Sequence, residues 1–597
     1  MKRTRAAVSI GTALIAAAGV TLAALPAGAA GPAGAVHAGA VPAQASERTE
    51  TDLGSADGLR LSTVRLHVPL PADVGPHPEA CDYIGYDRYR TADGPADPQR
   101  ADAVWVMQPG AWGSAGNQDS VARNTVRAAA AKGRHIEIWN LGRRGNCVTD
   151  NTGIEAGWKA KDPHVALDYY YGGKMVGGKR FEGFKTDRDL AFLSRIGVKQ
   201  VVTDQYELMR RELPDAAFRR TRTFCGGPSM AGIITGIFGA WDFDGNPKTT
   251  DDAGYNQCAG FIALDTLITS DPVGLRTNPL FKIVTDKTLG VAYPEVVKRI
   301  EDGTLPRTFG FLPLINPQAL NLYKMAGIGA YHAPNAETDL NKRLPASLDP
   351  TLRLGFSRTY GDFLSGQNGI RDFRFTNAAL LGVLTDNNTT NLGLLQVSQG
   401  ALGGGKVGAK TFPLPGQAAS IPFAGDLLGV ASGVSERVGP TDPKALYTWR
   451  NYDDVKGVPY TGPADEVSDQ RDLARQLGDA GSSSGTNGAN GSNGPIGYWE
   501  DYFPFRVIVD FGAALAGTRT GDLAAIQHAD AVKAKPTITF GADSSAIRIM
   551  RPFLPKDTIR VPGYTHIDTV NAAWRQNNGR PEPISAALAD FLIKNAS

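Results

Sequence analysis

Ser229, His566 and Asp543 are the residues of this 597-residue chain whose types and settings could carry out nucleophilic chemistry. Ser229 lies in Cys225-Gly-Gly-Pro-Ser-Met230, after the strand-like run Thr221–Cys225 and before Met230–Trp241, which reads as an apolar helix. Gly227, Ser229 and Ala231 approximate Gly-x-Ser-x-Gly, where a tight turn between strand and helix lifts a serine hydroxyl clear of the backbone. Alanine stands in place of the last glycine, and Pro228 has no N–H to offer a neighbouring strand. A serine hydroxyl is a weak nucleophile at neutral pH, so it needs a base, and the base needs a carboxylate to fix its tautomer. His566, after the strand-like Thr558–Val561, can be the base, and Asp543, after the strand-like Pro536–Phe540, the acid; Asp557 and Asp568 are the alternative acids. Met230 begins the elbow helix, and its backbone N–H is a donor for an oxyanion.

The surrounding elements must position these groups. Ala103–Met107 reads as a buried strand ending in Gln108-Pro-Gly110, Ser120–Lys132 as a helix stopped by Gly133, and His135–Trp139 as a second strand leading to Leu141-Gly-Arg-Arg-Gly145. Asp187–Ile196 reads as helix-like and leads through Val198–Val202 to a helical Tyr206–Glu212; Phe261–Asp265 is the strand after the elbow. Alternating strands and helices predict a mostly parallel central sheet covered by helices. This series resembles the α/β-hydrolase family, specifically its secreted esterase- and lipase-like serine hydrolases, over about residues 100–270 and 500–595. The order Ser229, Asp543, His566 matches the Ser, Asp/Glu, His order of that family. The family's first glycine turn usually reads His-Gly and lies beside the oxyanion hole; here Pro109 replaces the histidine, which makes the N–H of Ala111 the second donor.

Length and composition set the organisation. The serine and the acid are 314 positions apart (543 − 229), so the resemblance implies an α/β-hydrolase core at 51–269 and 506–597 with a large inserted cap domain at 270–505. The insertion holds apolar segments broken by Gly and Pro, such as Phe309–Ile315, and a flexible Gly/Ser/Asn loop at 481–494. Residues 1–29 read as a signal peptide, with Lys2–Arg5 as its basic start and Ala27-Gly-Ala29 as its cleavage site; 30–50 read as a disordered leader. Export to an oxidising compartment makes two disulfides plausible among Cys81, Cys147, Cys225 and Cys258. The resemblance places the strand that Cys225 ends beside the one that Cys258 precedes, which implies Cys225–Cys258 and leaves Cys81–Cys147.

Basic and acidic residues number 62 and 60, so the net charge of +2 implies no nucleic-acid or other polyanionic partner. Asp242-Phe-Asp244-Gly-Asn246, with Asp251 and Asp252, offers oxygen ligands around a glycine turn, without the spacing or bidentate glutamate of an EF-hand. It reads as a solvated turn, with calcium at Asp242, Asp244 and Asn246 as the alternative. No cofactor and no zinc or phosphate-binding motif is expected. Tyr169–Tyr171 reads as interface, pocket lining or strand packing, and Trp112 as a wall of the site or as plain packing. The expected function is a secreted serine hydrolase that cleaves a small-molecule or lipid ester through an acyl-enzyme, without stable membrane insertion once the signal is removed. The alternatives are an exported aminopeptidase using Glu500 and Asp501 to grip an ammonium group, or a binding protein on the same fold. Oligomeric state is not legible in the sequence.

Overall fold

Ala103–Met107 is apolar at every position because both faces of the strand are covered. Ala103, Trp105 and Met107 pack into one apolar cluster, while Val104 and Val106 pack into another on the opposite face. The computed structural model describes residues 47–271, 293–310, 315–413, 436–479, 496–544 and 548–596. The expected signal peptide, nearly all of the leader and the 481–494 loop lie outside the described residues.

The protein is a mixed α/β structure with a large, mostly parallel sheet. Its strands are β1 (Arg48–Ala56), β2 (Leu59–His67), β3 (Tyr83–Thr91), β4 (Ala103–Met107), β5 (Ile136–Gly142), β6 (Thr223–Pro228), β7 (Gly260–Leu264), β8 (Thr537–Ala542) and β9 (Ile559–Val561). They form one nine-stranded sheet in the order β1-β2-β3-β5-β4-β6-β7-β8-β9. The first three strands are an antiparallel meander joined antiparallel to β5, and every pairing from β5 onward is parallel. Chain order reverses at β4, which has β5 on one side and β6 on the other, so a crevice opens beyond the carboxyl ends of β4 and β6, where ligands bind in open α/β sheets.

The helices that bear on the site are α1 (Asp119–Ala130), α2 (Val198–Glu212), α3 (Met230–Ala240), α4 (Pro317–His332), α5 (Asn377–Thr385), α6 (Gln470–Gly478), α7 (Phe505–Leu515) and α8 (Pro583–Asn595). Val121 and Val126 of α1 and Leu588 and Leu592 of α8 cover one face of the sheet; Val198 and Val201 of α2 and Ile233 and Ile237 of α3 cover the other. Between β7 and α7 the insertion contains α4, α5, α6 and a small four-stranded sheet ordered Gly400–Gly403, Leu446–Asn451, Arg374–Thr376, Glu337–Thr338. Leu320 and Ala326 of α4 and Leu381 of α5 share one continuous apolar cluster with Val104 and Val106, so the described insertion is packed onto the sheet. Polar contacts reinforce it: Arg475 of α6 donates to Asp119 Oδ2 at 2.6 Å, and Gln476 donates to Ser120 Oγ at 2.6 Å.

Three local readings change. Thr221 and Arg222 end a helix, Ala216–Arg222, started by the Asp215 side chain accepting from the Ala217 N–H, and the elbow strand begins only at Thr223. Val198–Glu212 is one unbroken helix, whereas Asp187–Ile196 holds no α-helix, only turns at 187–190 and a 3₁₀ helix at Ala191–Arg195. Tyr169 and Tyr170 end a helix, Pro163–Tyr170, and meet Phe181 and Phe184 ring to ring rather than lying on a strand.

Both expected disulfides are formed, Cys225–Cys258 and Cys81–Cys147. Among the described residues no helix is long and apolar enough to cross a membrane. Because Cys225–Cys258 closes a segment of 33 residues, replacing both cysteines with alanine should cost about 2–4 kcal/mol of stability, read as a lowered denaturation midpoint. Unchanged stability would show that neighbouring packing alone fixes β6 beside β7.

A second expectation concerns Asp87 on β3. It is fully buried, and burial pushes its carboxyl up to about 7 against the opposing pull of the Thr63 hydroxyl and the Ile496 N–H. The native protein then keeps a proton that the unfolded chain loses near pH 4, so this contribution to stability declines as pH rises from about 4 to 7. Asp87→Asn, which cannot ionise, should flatten the fall of Tm across that window. An unchanged slope would locate the titration elsewhere.

Candidate active site

Ser229 sits at the junction of β6 and α3 with φ 56° and ψ −128°, a left-handed conformation that a side chain adopts only under constraint. The constraint comes from close backbone approach. A Cβ on Gly226 would lie 2.1 Å from Ile262 O, and one on Gly227 would lie 2.2 Å from Gln108 O and 2.8 Å from the Ala231 methyl. Gly227 (φ 156°) therefore has to be glycine, and its missing side chain is what makes room for Ala231 where the motif's last glycine usually stands. Pro228 is tolerated here because the β4 pairing ends at Gly226, while on the other side the Ser229 N–H donates to Leu264 O at 3.1 Å and closes the β6–β7 pairing.

His566 lies in the loop after β9 and is 4% exposed. Its Nδ1 meets Asp265 Oδ2 at 2.7 Å, which fixes Nδ1 as the donor and leaves Nε2 with its lone pair. Asp265 follows β7 directly; its Oδ1 accepts from the Ala542 N–H at 3.0 Å and its own N–H donates to Phe540 O at 2.9 Å. The structure thus pairs His566 with Asp265 and not with Asp543. Asp543 accepts from Arg560 Nε at 3.0 Å, and its side chain is 41% exposed. The physical reason is strand position. Both β7 and β8 end in an aspartate, but β7 adjoins the elbow strand while β8 is one strand further out, and Arg560 on β9, opposite Gly541, captures the outer acid. Asp568 is also engaged elsewhere, accepting from Ser398 N–H, Ser468 Oγ and Thr565 Oγ1.

Ser229 and His566 line one cavity of about 40 Å³ with Gly110, Trp112, Leu395 and Trp499, and no hydrogen bond joins the serine to the histidine in this structure. The loop after β4 forms the facing wall, where a Cβ on Gly110 would lie 3.3 Å from Ser229 Cβ. Arg143, on the loop after β5, holds that wall: it donates to Pro109 O at 2.6 Å, Gly110 O at 2.6 Å and Gly113 O at 3.1 Å, and to Glu500 Oε2 at 2.7 Å. In a trans peptide the C=O and N–H point in opposite directions, so fixing Gly110 O on Arg143 turns the Ala111 N–H away from Arg143. Neither that N–H nor the Met230 N–H, the first of α3, has an acceptor among the described residues.

Glu500 and Asp501 are both buried and paired. Burial pushes each carboxyl up, opposed for Glu500 by Arg143 and for Asp501 by the Lys324 ammonium at 2.7 Å. Glu500 N–H also donates to Trp112 O at 2.8 Å and Ser114 N–H to Tyr498 O at 2.9 Å, so the 498–500 segment braces the loop after β4. Arg143 and Asp265 are the residues that sequence reasoning missed. The signal for Asp265 was present, since it ends the strand next to the elbow; Arg143 binds backbone carbonyls about 30 residues upstream and Glu500 357 residues downstream, and neither leaves a local signature. The Asp242 loop lies at the far end of α3, remote from Ser229 by the helix's length of roughly 16 Å. Neither the protein-family models nor the curated proteins compared with this sequence match it.

The Asp265–His566 contact makes a discriminating expectation. Asp265→Asn should lower the rate of acylation of Ser229 by about 10⁴-fold, because the imidazole loses its tautomer, while Asp543→Asn should change it less than about threefold. Burst kinetics with an activated ester measure both, and the reverse ranking would restore Asp543 as the acid.

Proposed function

We propose that this protein is a serine hydrolase of the α/β-hydrolase type that cleaves carboxylic esters through an acyl-enzyme intermediate, and that it acts outside the cell. The observation that carries the reading is the strained Ser229 at the strand–helix turn sharing a cavity with a histidine whose far nitrogen is bound to a carboxylate. The nine-strand order, with its reversal at β4 and the serine after β6, supports the family resemblance. The two disulfides agree with an exported protein.

In this mechanism His566 Nε2 takes the Ser229 proton as Oγ attacks the ester carbonyl, and Asp265 stabilises the imidazolium that forms. Charge on the carbonyl oxygen is met by the N–H groups of Met230 and Ala111 and by the positive end of α3. The imidazolium then protonates the departing alkoxide, and a water activated by the same nitrogen releases the acid. Arg143 works on the loop rather than on the substrate, by aiming the Ala111 N–H.

Esters are favoured over peptide N-termini because Glu500 and Asp501, the carboxylates suited to an ammonium group, are neutralised by Arg143 and Lys324. The cavity wall is instead built from Leu394, Leu395, Trp112, Trp499 and Val570. A fluorophosphonate should label Ser229 in the wild-type protein and fail to label Ser229→Ala or His566→Ala. Turnover of short acyl esters should fall by at least about 10⁴-fold in Ser229→Ala with the fold retained by circular dichroism. Labelling at another serine, or full ester turnover without Ser229, would overturn the proposal; faster turnover of aminoacyl amides than of acyl esters would favour the aminopeptidase.

A further inference from the structure

Asp242 follows the last residues of α3 and has a side chain fully removed from solvent. His528 Nε2 meets its Oδ2 at 3.0 Å, but its Oδ1 is buried with no hydrogen-bond partner. An orphaned buried carboxylate oxygen is costly and calls for a group that satisfies it. One oxygen each from Asp242, Asp244 and Asp252 converge to within 4.8 Å of one another, and no Lys or Arg pairs with any of the three among the described residues. Two oxygens bound to one calcium ion at about 2.4 Å are separated by at most about 4.8 Å, so the spacing is that of a coordination shell.

We infer that Asp242, Asp244 and Asp252 form a calcium site that locks the far end of the elbow helix. Three carboxylate donors and no nitrogen or sulfur ligand select a hard cation, and a loop partly open to solvent suits calcium, which tolerates irregular shells completed by water, better than magnesium. The loop is already shaped: Asp244 N–H donates to Asp252 Oδ2 at 2.6 Å, Asp244 Oδ1 accepts from Asn246 N–H at 2.7 Å, and Thr249 Oγ1 donates to Asp244 Oδ2 at 2.6 Å. Asn246, the third oxygen read from the sequence, has its side-chain oxygen on the Lys248 N–H, and Asp252 takes its place in the set. His528 orients Asp242 from behind, as outer partners of metal-binding carboxylates do. The His528 N–H and the Gln527 N–H both donate to Ala240 O, and Asp242 N–H donates to Ala525 O, so an ion here fastens the end of α3 to the 525–528 segment that precedes β8.

Trp241 adjoins the site and can sensitise terbium emission. Terbium added to the metal-stripped full-length protein should give saturable emission under indole excitation, displaced by calcium at about 0.1–1 mM. Calcium at 5 mM should raise Tm by a few degrees over EDTA, while magnesium at the same concentration should not. Asp244→Asn/Asp252→Asn, which alters only the open rim of the site, should abolish the emission and the calcium-dependent Tm rise while leaving Tm in EDTA close to wild type. Absence of both signals in the wild type, their persistence in the double variant, or an equal response to magnesium would overturn the calcium site, and none of these outcomes bears on catalysis at Ser229.

Discussion

The approach of three backbone segments at Gly226 and Gly227 is the constraint on which the candidate site depends. β6 lies so close to Gln108 and Ile262 that no side chain fits at either glycine, and this crowding holds Ser229 at positive φ. A single residue so held costs on the order of 1–3 kcal/mol, which must come from the surroundings. Here the surroundings are the fully buried strand β6, the Cys225–Cys258 bond one residue upstream of the glycine pair, and the seating of α3, where a Cβ on Gly232 or Gly236 would strike Thr266 or the Thr269 backbone. The same seating places the loop after β7 beside the serine, and Asp265, itself at φ 49°, is presented from that loop. Ser229 and Asp265 are thus fixed by one packing event.

The parallel sheet and its helical cover are legible in the sequence because Ala103–Met107 and Phe261–Leu264 are short unbroken apolar runs, and both became buried strands. Ser229 is legible because Gly226, Gly227 and Gly232 have a steric purpose that shows as composition. Asp265 is harder to choose over Asp543, since each ends a parallel strand; what separates them is the lateral order of strands and the presence of Arg560 opposite Asp543, neither of which is a local property. The helix at Ala216–Arg222 was hidden for a related reason. Its capping signal, Asp215, lies upstream of the alternating Thr221–Cys225 pattern that reads as strand.

The His566 loop is held from the insertion side as well. Asp568, two residues on, accepts from Ser398 and Ser468, both residues of the insertion, so His566 is positioned by contacts that span the boundary between core and insertion. Deeper in the insertion Asp386 and Glu466 share Asn388, whose N–H binds one and whose side-chain amide binds the other. Burial pushes both carboxyls well above their ordinary range, with Asp568 raising Asp386 further and Asp386 raising Glu466. Asp386 also accepts from the Gln399 N–H, and Glu466 from the Gly400 N–H and the Thr461 hydroxyl, so all four carboxyl oxygens have a donor and the network is closed.

This wiring bears on how the insertion serves the site. Leu394 and Leu395, which line the serine's cavity, lie in a stretch of chain anchored by Asn391 to the Leu354 and Ser357 carbonyls, by Gln396 to Thr390 O, and by Gln399 to Asp386 and Thr385. Each anchor is buried, so moving the two leucines would strand several polar groups at once, each at a cost of about 1–3 kcal/mol. A lid that opens must lose little when it moves, and this stretch would lose a great deal. The wall formed by Leu394 and Leu395 is therefore a fixed boundary, and it limits the described cavity to a volume that holds only a few waters. Anything that enters this cavity to meet Ser229 therefore meets the two leucines as a rigid wall, which discriminates by shape.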